Sequence, residues 1–338
     1  MKVTISDVAK MAGVSTATVS HTINHTRYVS NETKEKVYQA IAQLGYTPDA
    51  SARSFRTGKK KTIGFIVPDI SNKFFGTMIE SVENYLSGHG YHLIIANTKE
   101  DMDREETNIR LLSAGLVDGL LIASTIDDPE RLDSLIPAGF PVVLVDRTFS
   151  TKKYSSVCVS NFQPIYRSVC RLVGKGDHRI GIIGGLPRLS TTRERISAYE
   201  QAAADCGLPV DSALIRYGDS MENSANHCLD ELLEAGCDAV IATNGLMAID
   251  SITHLNQKGL QMGKDIDIVS FVDYDSGFYR LYSSQMDSII QPVVELGKAA
   301  GEQILKRVEN PDAPVFEQVL TSTYRPCTQP TSWNHSDR

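Results

Sequence analysis

The sequence predicts an α/β chain in which a small helical head precedes two lobes, each a doubly wound parallel sheet. Three observations carry that reading. From residue 62 onward, short aliphatic runs alternate with amphipathic stretches, the rhythm of strands covered by helices on both faces. The alternation restarts near residue 161, so the pattern occurs twice. Charge divides sharply: residues 1–61 hold ten Lys or Arg against four acids, an excess of +6, and the remainder of the 338-residue chain carries −13. A basic head suits a polyanion; an acidic body suits another task.

Length and composition agree. At roughly 150 residues per domain the chain holds about two domains and a small third. With 41% hydrophobic and 22% charged residues it sits in the ordinary globular range. No apolar run approaches the roughly 18 residues of a membrane span. The opening MKVTISDVAKMAG lacks the apolar stretch of a signal peptide, so a cytoplasmic protein without a membrane partner is expected.

In the head, Thr4 and Asp7 have capping-box spacing, and Ile5, Val8, Ala9 and Ala12 make a one-sided helical stripe that Gly13 stops. Ser15 is an N-cap for a second helix through about Asn24. At roughly 100° per residue, Val19 and Ile23 point to one side while Ala17, Ser20, His21 and Asn24 share the other, which is free to read something. Ser30 caps a third helix, carrying Val37, Ile41 and Leu44 and ending at Gly45. Short helices joined by a tight Gly turn make a helix-turn-helix.

Thr47, Pro48 and Asp49 then open a short helix that Gly58 ends. It is shorter than the roughly 12 to 15 residues that make a helix stable alone. The run TGKKK at 57–61 reads as a phosphate-facing linker.

In the body, strands are expected at 63–67, 92–96, 119–123 and 142–145, then 179–183, 239–242 and 268–271. A helix at 292–308 and a returning strand at 315–320 follow. Ligands of doubly wound sheets bind beyond the carboxyl ends of the strands. There the sequence places Asn72, Phe74 and Phe75 after the first strand, and Asp146 and Arg147 after the fourth. Arg195, Asn244 and Gln291 come from the second half. Planar polar groups with aromatic plates suit a hydroxyl-rich ring.

Enzyme signatures fail on inspection. GLQMGKD at 259–265 is one residue short of a P-loop and ends in Asp, and DYDSG at 273–277 has its Gly misplaced for a calcium loop. No GxSxG elbow or dinucleotide GxGxxG occurs. Cys158, Cys170, Cys206, Cys228, Cys237 and Cys327 show no zinc spacing. No catalytic residues, metal or cofactor are therefore expected.

The segments DVAKMAGVSTATVSHTIN, VSNETKEKV, LGYTPDASARSF and IGFIVPDISNKFF, in that order, resemble the lactose-repressor/galactose-repressor (LacI/GalR) family of bacterial transcription regulators. The resemblance implies a helix-turn-helix domain over 1–46, a hinge helix and linker over 47–61, and an effector-binding and dimerisation domain over 62–338. That domain would resemble a periplasmic binding protein, with a first lobe of about 62–160 plus 293–322 and a second of about 161–292 plus 323–338.

It also implies that Thr16, Ala17 and His21 read bases, Ser20 and Ser30 touch phosphates, and Asn24 lies on the same DNA-facing side. Arg53 and Phe55 of the hinge helix would enter the minor groove of a pseudo-palindromic operator bound by a homodimer, Phe55 standing where the family usually has Leu. The cleft set, with Asp273, looks most like ribose-type binding. Ser220, Gly245 and the Val272–Asp273 pair depart from that pattern, and Lys73 adds a cation, so a sugar acid, sugar phosphate or purine corepressor competes. From other classes, a transport-type sugar-binding protein or an enzyme on the same fold competes with the regulator.

Overall fold

The computed structural model describes residues 3–24, 26–46, 58–219, 224–272 and 277–328. The chain divides into two compact units, residues 1–60 and 61–338.

The first unit holds α1 (Ile5–Ala12), α2 (Thr16–Asn24) and α3 (Asn31–Leu44). Their ends follow from local chemistry. Asp7 Oδ2 accepts from Thr4 N at 2.9 Å, Ser15 Oγ from Thr18 N at 3.1 Å, and Ser30 Oγ from Thr33 N at 3.3 Å. Gly13 and Gly45 close α1 and α3 at φ +66° and +60°, where a Cβ would be strained. Val8, Ala9, Ala12, Val19, Val37 and Ala40 form the buried core.

The second unit runs β1 (Thr62–Val67), α4 (Lys73–Gly88), β2 (His92–Asn97), α5 (Met102–Ser113), β3 (Gly119–Ile122), α6 (Pro129–Asp133), β4 (Val142–Val145) and β5 (Ser155–Val159). The second lobe follows: α7 (Phe162–Lys175), β6 (Ile180–Gly184), α8 (Ser190–Asp205), β7 (Ile215–Tyr217), α9 (Ala225–Glu234), β8 (Ala239–Ala242), α10 (Gly245–Gln257), β9 (Asp267–Val272), α11 (Gly277–Tyr282) and β10 (Asp287–Ile290). Last come α12 (Val293–Glu309), β11 (Glu317–Leu320) and β12 (Thr323–Arg325).

Two six-stranded sheets result, ordered β11-β5-β4-β3-β1-β2 and β12-β10-β9-β8-β6-β7. Every pairing is parallel except β12 against β10. The chain therefore crosses between lobes three times: after β5, after β10, and between β11 and β12. Helix α12 returns to the first lobe because two glycines let it approach α4. A Cβ on Gly297 would lie 2.7 Å from Met78 O, and one on Gly301 would lie 2.8 Å from the Tyr85 ring.

The expectation that every aliphatic run is covered on both faces fails at β2. This strand is a sheet edge, and Ile94 and Ile95 stay 39% and 45% exposed. Four strands were not foreseen: β5, β7, β10 and β12. Among the described residues no helix is long and apolar enough to cross a membrane.

Candidate functional site

A cavity of about 120 Å³ lies between the two sheet-bearing lobes, on the loops that follow the strands. Asn72, Phe74, Phe75, Asp146, Arg147, Arg195, Asn244 and Gln291 all line it. Local structure aims them. Asn72 and Asn244 are the N-caps of α4 and α10, their Oδ1 atoms accepting from Phe74 N (3.1 Å) and Met247 N (2.8 Å). The Phe74 and Phe75 rings meet edge to face at 5.1 Å, and Phe75 continues into the first-lobe core.

Asp146 sits at φ +66°, a left-handed conformation that Asp tolerates better than most residues, directly after β4. Together with Arg147 it is buried, at 9% and 7% exposure, so the pair is not a surface ion pair. Burial pushes the Asp146 carboxyl above its ordinary range, against the pull of Arg147 and Arg195.

Arg147 is held from behind. Its Nη2 donates to Glu100 Oε1 at 2.6 Å and its Nη1 to Glu100 Oε2 at 2.8 Å, the paired geometry of guanidinium and carboxylate. Its Nε is buried with no hydrogen-bond acceptor among the described residues, and so is Nε2 of Gln291. A buried donor left without an acceptor is costly.

Arg195 reaches in from α8. Nε donates to Asn161 Oδ1 at 2.8 Å and Nη1 to the Thr243 carbonyl at 2.7 Å, and the guanidinium lies 4.1 Å from the centre of the Phe271 ring. Burial pulls its pKa down to about 10, which leaves it cationic at neutral pH. At the cavity's edge stand Asp69, bonded to Lys99 at 2.7 Å, and exposed Lys73. Burial would raise the Asp69 carboxyl, but the Lys99 and Ser71 hydrogen bonds prevail and hold it low.

Sequence reasoning missed Glu100, Asn161, Thr191, Thr243 and Phe271. Glu100 carries a local signal only in retrospect: Lys99 and Glu100 are successive non-glycine residues at positive φ, a bend that turns the carboxylate toward Arg147. Asp273, Ser220, Arg53 and Phe55 lie outside the described residues, as does the expected hinge helix.

On the helical unit, Thr16 and Ala17 are exposed in the first turn of α2, and Ser20, His21 and Asn24 are half-buried. Asn24 Nδ2 donates to the Ser20 carbonyl at 2.8 Å. His21 Nδ1 pairs with Thr26 Oγ1 at 2.8 Å, which orients the ring. Ser30 is exposed while it caps α3.

A helix-turn-helix with an excess of basic residues, carried in one chain with a two-lobed domain around a cavity lined by charged, amide and aromatic side chains, defines a ligand-responsive DNA-binding regulator. Comparison with known proteins agrees. Residues 4–49 match the family described as bacterial regulatory proteins, lacI family, and residues 60–326 the one described as periplasmic binding proteins and sugar binding domain of LacI family. The chain is 33% identical over 315 residues to the transcriptional repressor PurR of Aliivibrio fischeri, covering 91% of this chain and 93% of that one. It is 32% identical over 322 residues to the ribose operon repressor of Haemophilus influenzae, covering 95% and 96%. The Lac repressor dimer bound to operator superposes with a TM-score of 0.83 at 23% identity, covering 96% and 98%. The chain belongs to the LacI family of transcriptional regulators, which bind operator DNA through the helix-turn-helix and answer to small-molecule effectors.

Proposed function

We propose that this regulator is a repressor whose effector is a ribose-like sugar held in the interlobe cavity. The observation that carries the reading is the convergence of Asn72, Asp146, Arg147, Arg195, Asn244 and Gln291 with the Phe74 ring on one cavity between the lobes. Vicinal hydroxyls would accept from the guanidinium and amide groups that line the cavity and donate to Asp146 and to its amide oxygens, and an aromatic face would stack on the sugar ring. The 32% identity to a ribose operon repressor supports the sugar class, and the 33% identity to a PurR repressor supports a purine corepressor as its competitor.

In this reading Thr16, Ala17 and His21 read base edges, Ser20, Asn24 and Ser30 help seat the helices on the backbone, and two copies address a pseudo-palindrome. The hinge residues Arg53 and Phe55 enter the minor groove. The protein works in the cytoplasm, where the operator is, and the cavity binds its ligand without turning it over.

A second reading follows from one observation: Arg195, cationic at neutral pH, lines the cavity and hydrogen-bonds the neutral Asn161 amide and Thr243 carbonyl. An anionic sugar acid or sugar phosphate would pair with that charge. Calorimetric titration with ribose, ribonate, ribose 5-phosphate and adenine tests both readings. Binding of ribose but not of the charged forms or the base is expected; a clear preference for adenine would refute the sugar class.

A further inference from the structure

Among the six cysteines, two that are 36 positions apart in sequence meet in space. Cys170, on α7, and Cys206, the residue that closes α8, stand with their sulfurs 3.1 Å apart, the Cys206 thiol directed at Cys170 Sγ. Both are half-buried, so a small reactant can reach them. A disulfide bond is about 2.05 Å long, leaving roughly 1 Å for the sulfurs to travel. The neighbourhood holds the two helices in place: Tyr166 on α7 donates to Asp205 at the end of α8 at 2.9 Å.

The other cysteines are engaged differently. Cys158 faces the Gln318 carbonyl at 3.8 Å and Cys228 the Ser224 carbonyl at 3.7 Å. Cys237 is buried, and Cys327 lies 4.0 Å from Lys175 Nζ.

We propose that Cys170 and Cys206 form a reversible dithiol site that exchanges with small-molecule disulfides and closes into an intramolecular disulfide. In the first step Cys170 gives its proton to water and its thiolate attacks one sulfur of the incoming disulfide, forming a mixed disulfide and releasing one thiolate. In the second, Cys206 gives its proton to water and its thiolate attacks Cys170 Sγ, forming the internal bond and expelling the second thiolate. Two protein thiols are oxidised, one small disulfide is reduced to two thiols, and no other oxidant is needed. Burial, with Cys170 alongside, pushes the Cys206 thiol up to about 11, so little of it is thiolate at neutral pH.

The bond would tie α7 to α8, the helix that carries Arg195 into the effector cavity. Asn161 stands directly before α7 and holds Arg195 of α8. Closing the loop from 170 to 206 therefore constrains the frame on which Arg195 stands and raises the unfolding temperature of the sensor unit.

The test uses the full-length protein, reduced, freed of reductant and incubated with oxidised glutathione. Remaining thiols are then capped with a maleimide, and peptides are mapped by mass spectrometry without reduction. The expected product is lighter by two hydrogen atoms, contains one peptide joining Cys170 to Cys206, melts at a higher temperature, and reverts with dithiothreitol. C170S and C206S should each abolish the joined peptide and leave at most a glutathione adduct on the remaining partner. Glutathione adducts on both residues without the joined peptide, or full maleimide labelling of both after incubation, would overturn the proposal. The mapping on the unaltered protein decides this even if a variant fails to fold.

Discussion

The guanidinium of Arg147 lies against the carboxylate of Glu100, with two hydrogen bonds of 2.6 and 2.8 Å between side chains that are 8% and 9% exposed. Arg147 is thereby neutralised from behind, and its Nε lies 3.9 Å from Asp146 Oδ2. Glu100→Gln should cost about 3 kcal/mol of stability, because a buried cation loses its counter-charge while much of the packing remains. Urea unfolding of the variant measures that loss, and an unchanged midpoint and slope would show that the pair contributes nothing.

Arg195 depends on Asn161 in a different way. Asn161→Ala removes the acceptor that orients Arg195 Nε and leaves the guanidinium in place over Phe271. Ribose affinity should fall by about 1.5 to 3 kcal/mol, the range for a hydrogen bond to a charged group, or roughly tenfold to a hundredfold in Kd. Calorimetry reads this directly, and the protein should remain folded by circular dichroism.

Stability should also depend on pH through a site away from the cavity, where β9 begins. Asp177 is buried there, and burial, then the charges of Asp267 and Asp238, lift its pKa to about 8, against the pull of Lys175. Its folded pKa exceeds the unfolded value near 4, so the folded state holds the proton more tightly. The contribution is complete below about pH 4 and is lost as pH rises through about 8. Asp177→Asn should flatten that decline, seen as a smaller drop in Tm between pH 6 and pH 9; an equal drop in both proteins would contradict the shift.

The helical unit offers a paired test. His21→Ala should remove roughly 1 to 3 kcal/mol of discrimination between operator and random DNA while nonspecific binding is nearly retained. Thr26→Val removes the partner that orients the His21 ring and should produce a smaller loss of the same kind. Competition binding against random duplex measures both. Equal weakening on the two DNAs would assign His21 to the phosphate backbone.

Much of this organisation was legible in the residues. The head's helices could be read because Ser15, Ser30, Gly13 and Gly45 mark their ends chemically. The cavity residues could be located because they follow runs such as GFIV and VVLV, and doubly wound sheets bind ligands at that end. What escaped notice was nonlocal. The exposed face of β2 follows from its place at the sheet edge, which no run of apolar residues reveals. Strand β7 is three residues, Ile215–Tyr217, too short and polar to stand out. Glu100 pairs with a residue 47 positions away, Asn161 with one 34 away, and Cys170 with one 36 away. Those partnerships exist only once the chain has folded.

The central claim is that a sugar in the interlobe cavity governs operator binding. Its most direct test is fluorescence anisotropy on a labelled pseudo-palindromic duplex, selected from random DNA by the protein itself and titrated with and without saturating ribose. The unaltered protein should change its operator affinity at least tenfold when ribose is added, in whichever direction this repressor is wired. Arg195→Ala should bind the duplex as the sugar-free protein does and show no response. An operator affinity indifferent to ribose in the unaltered protein, or an equal response in Arg195→Ala, would contradict the account.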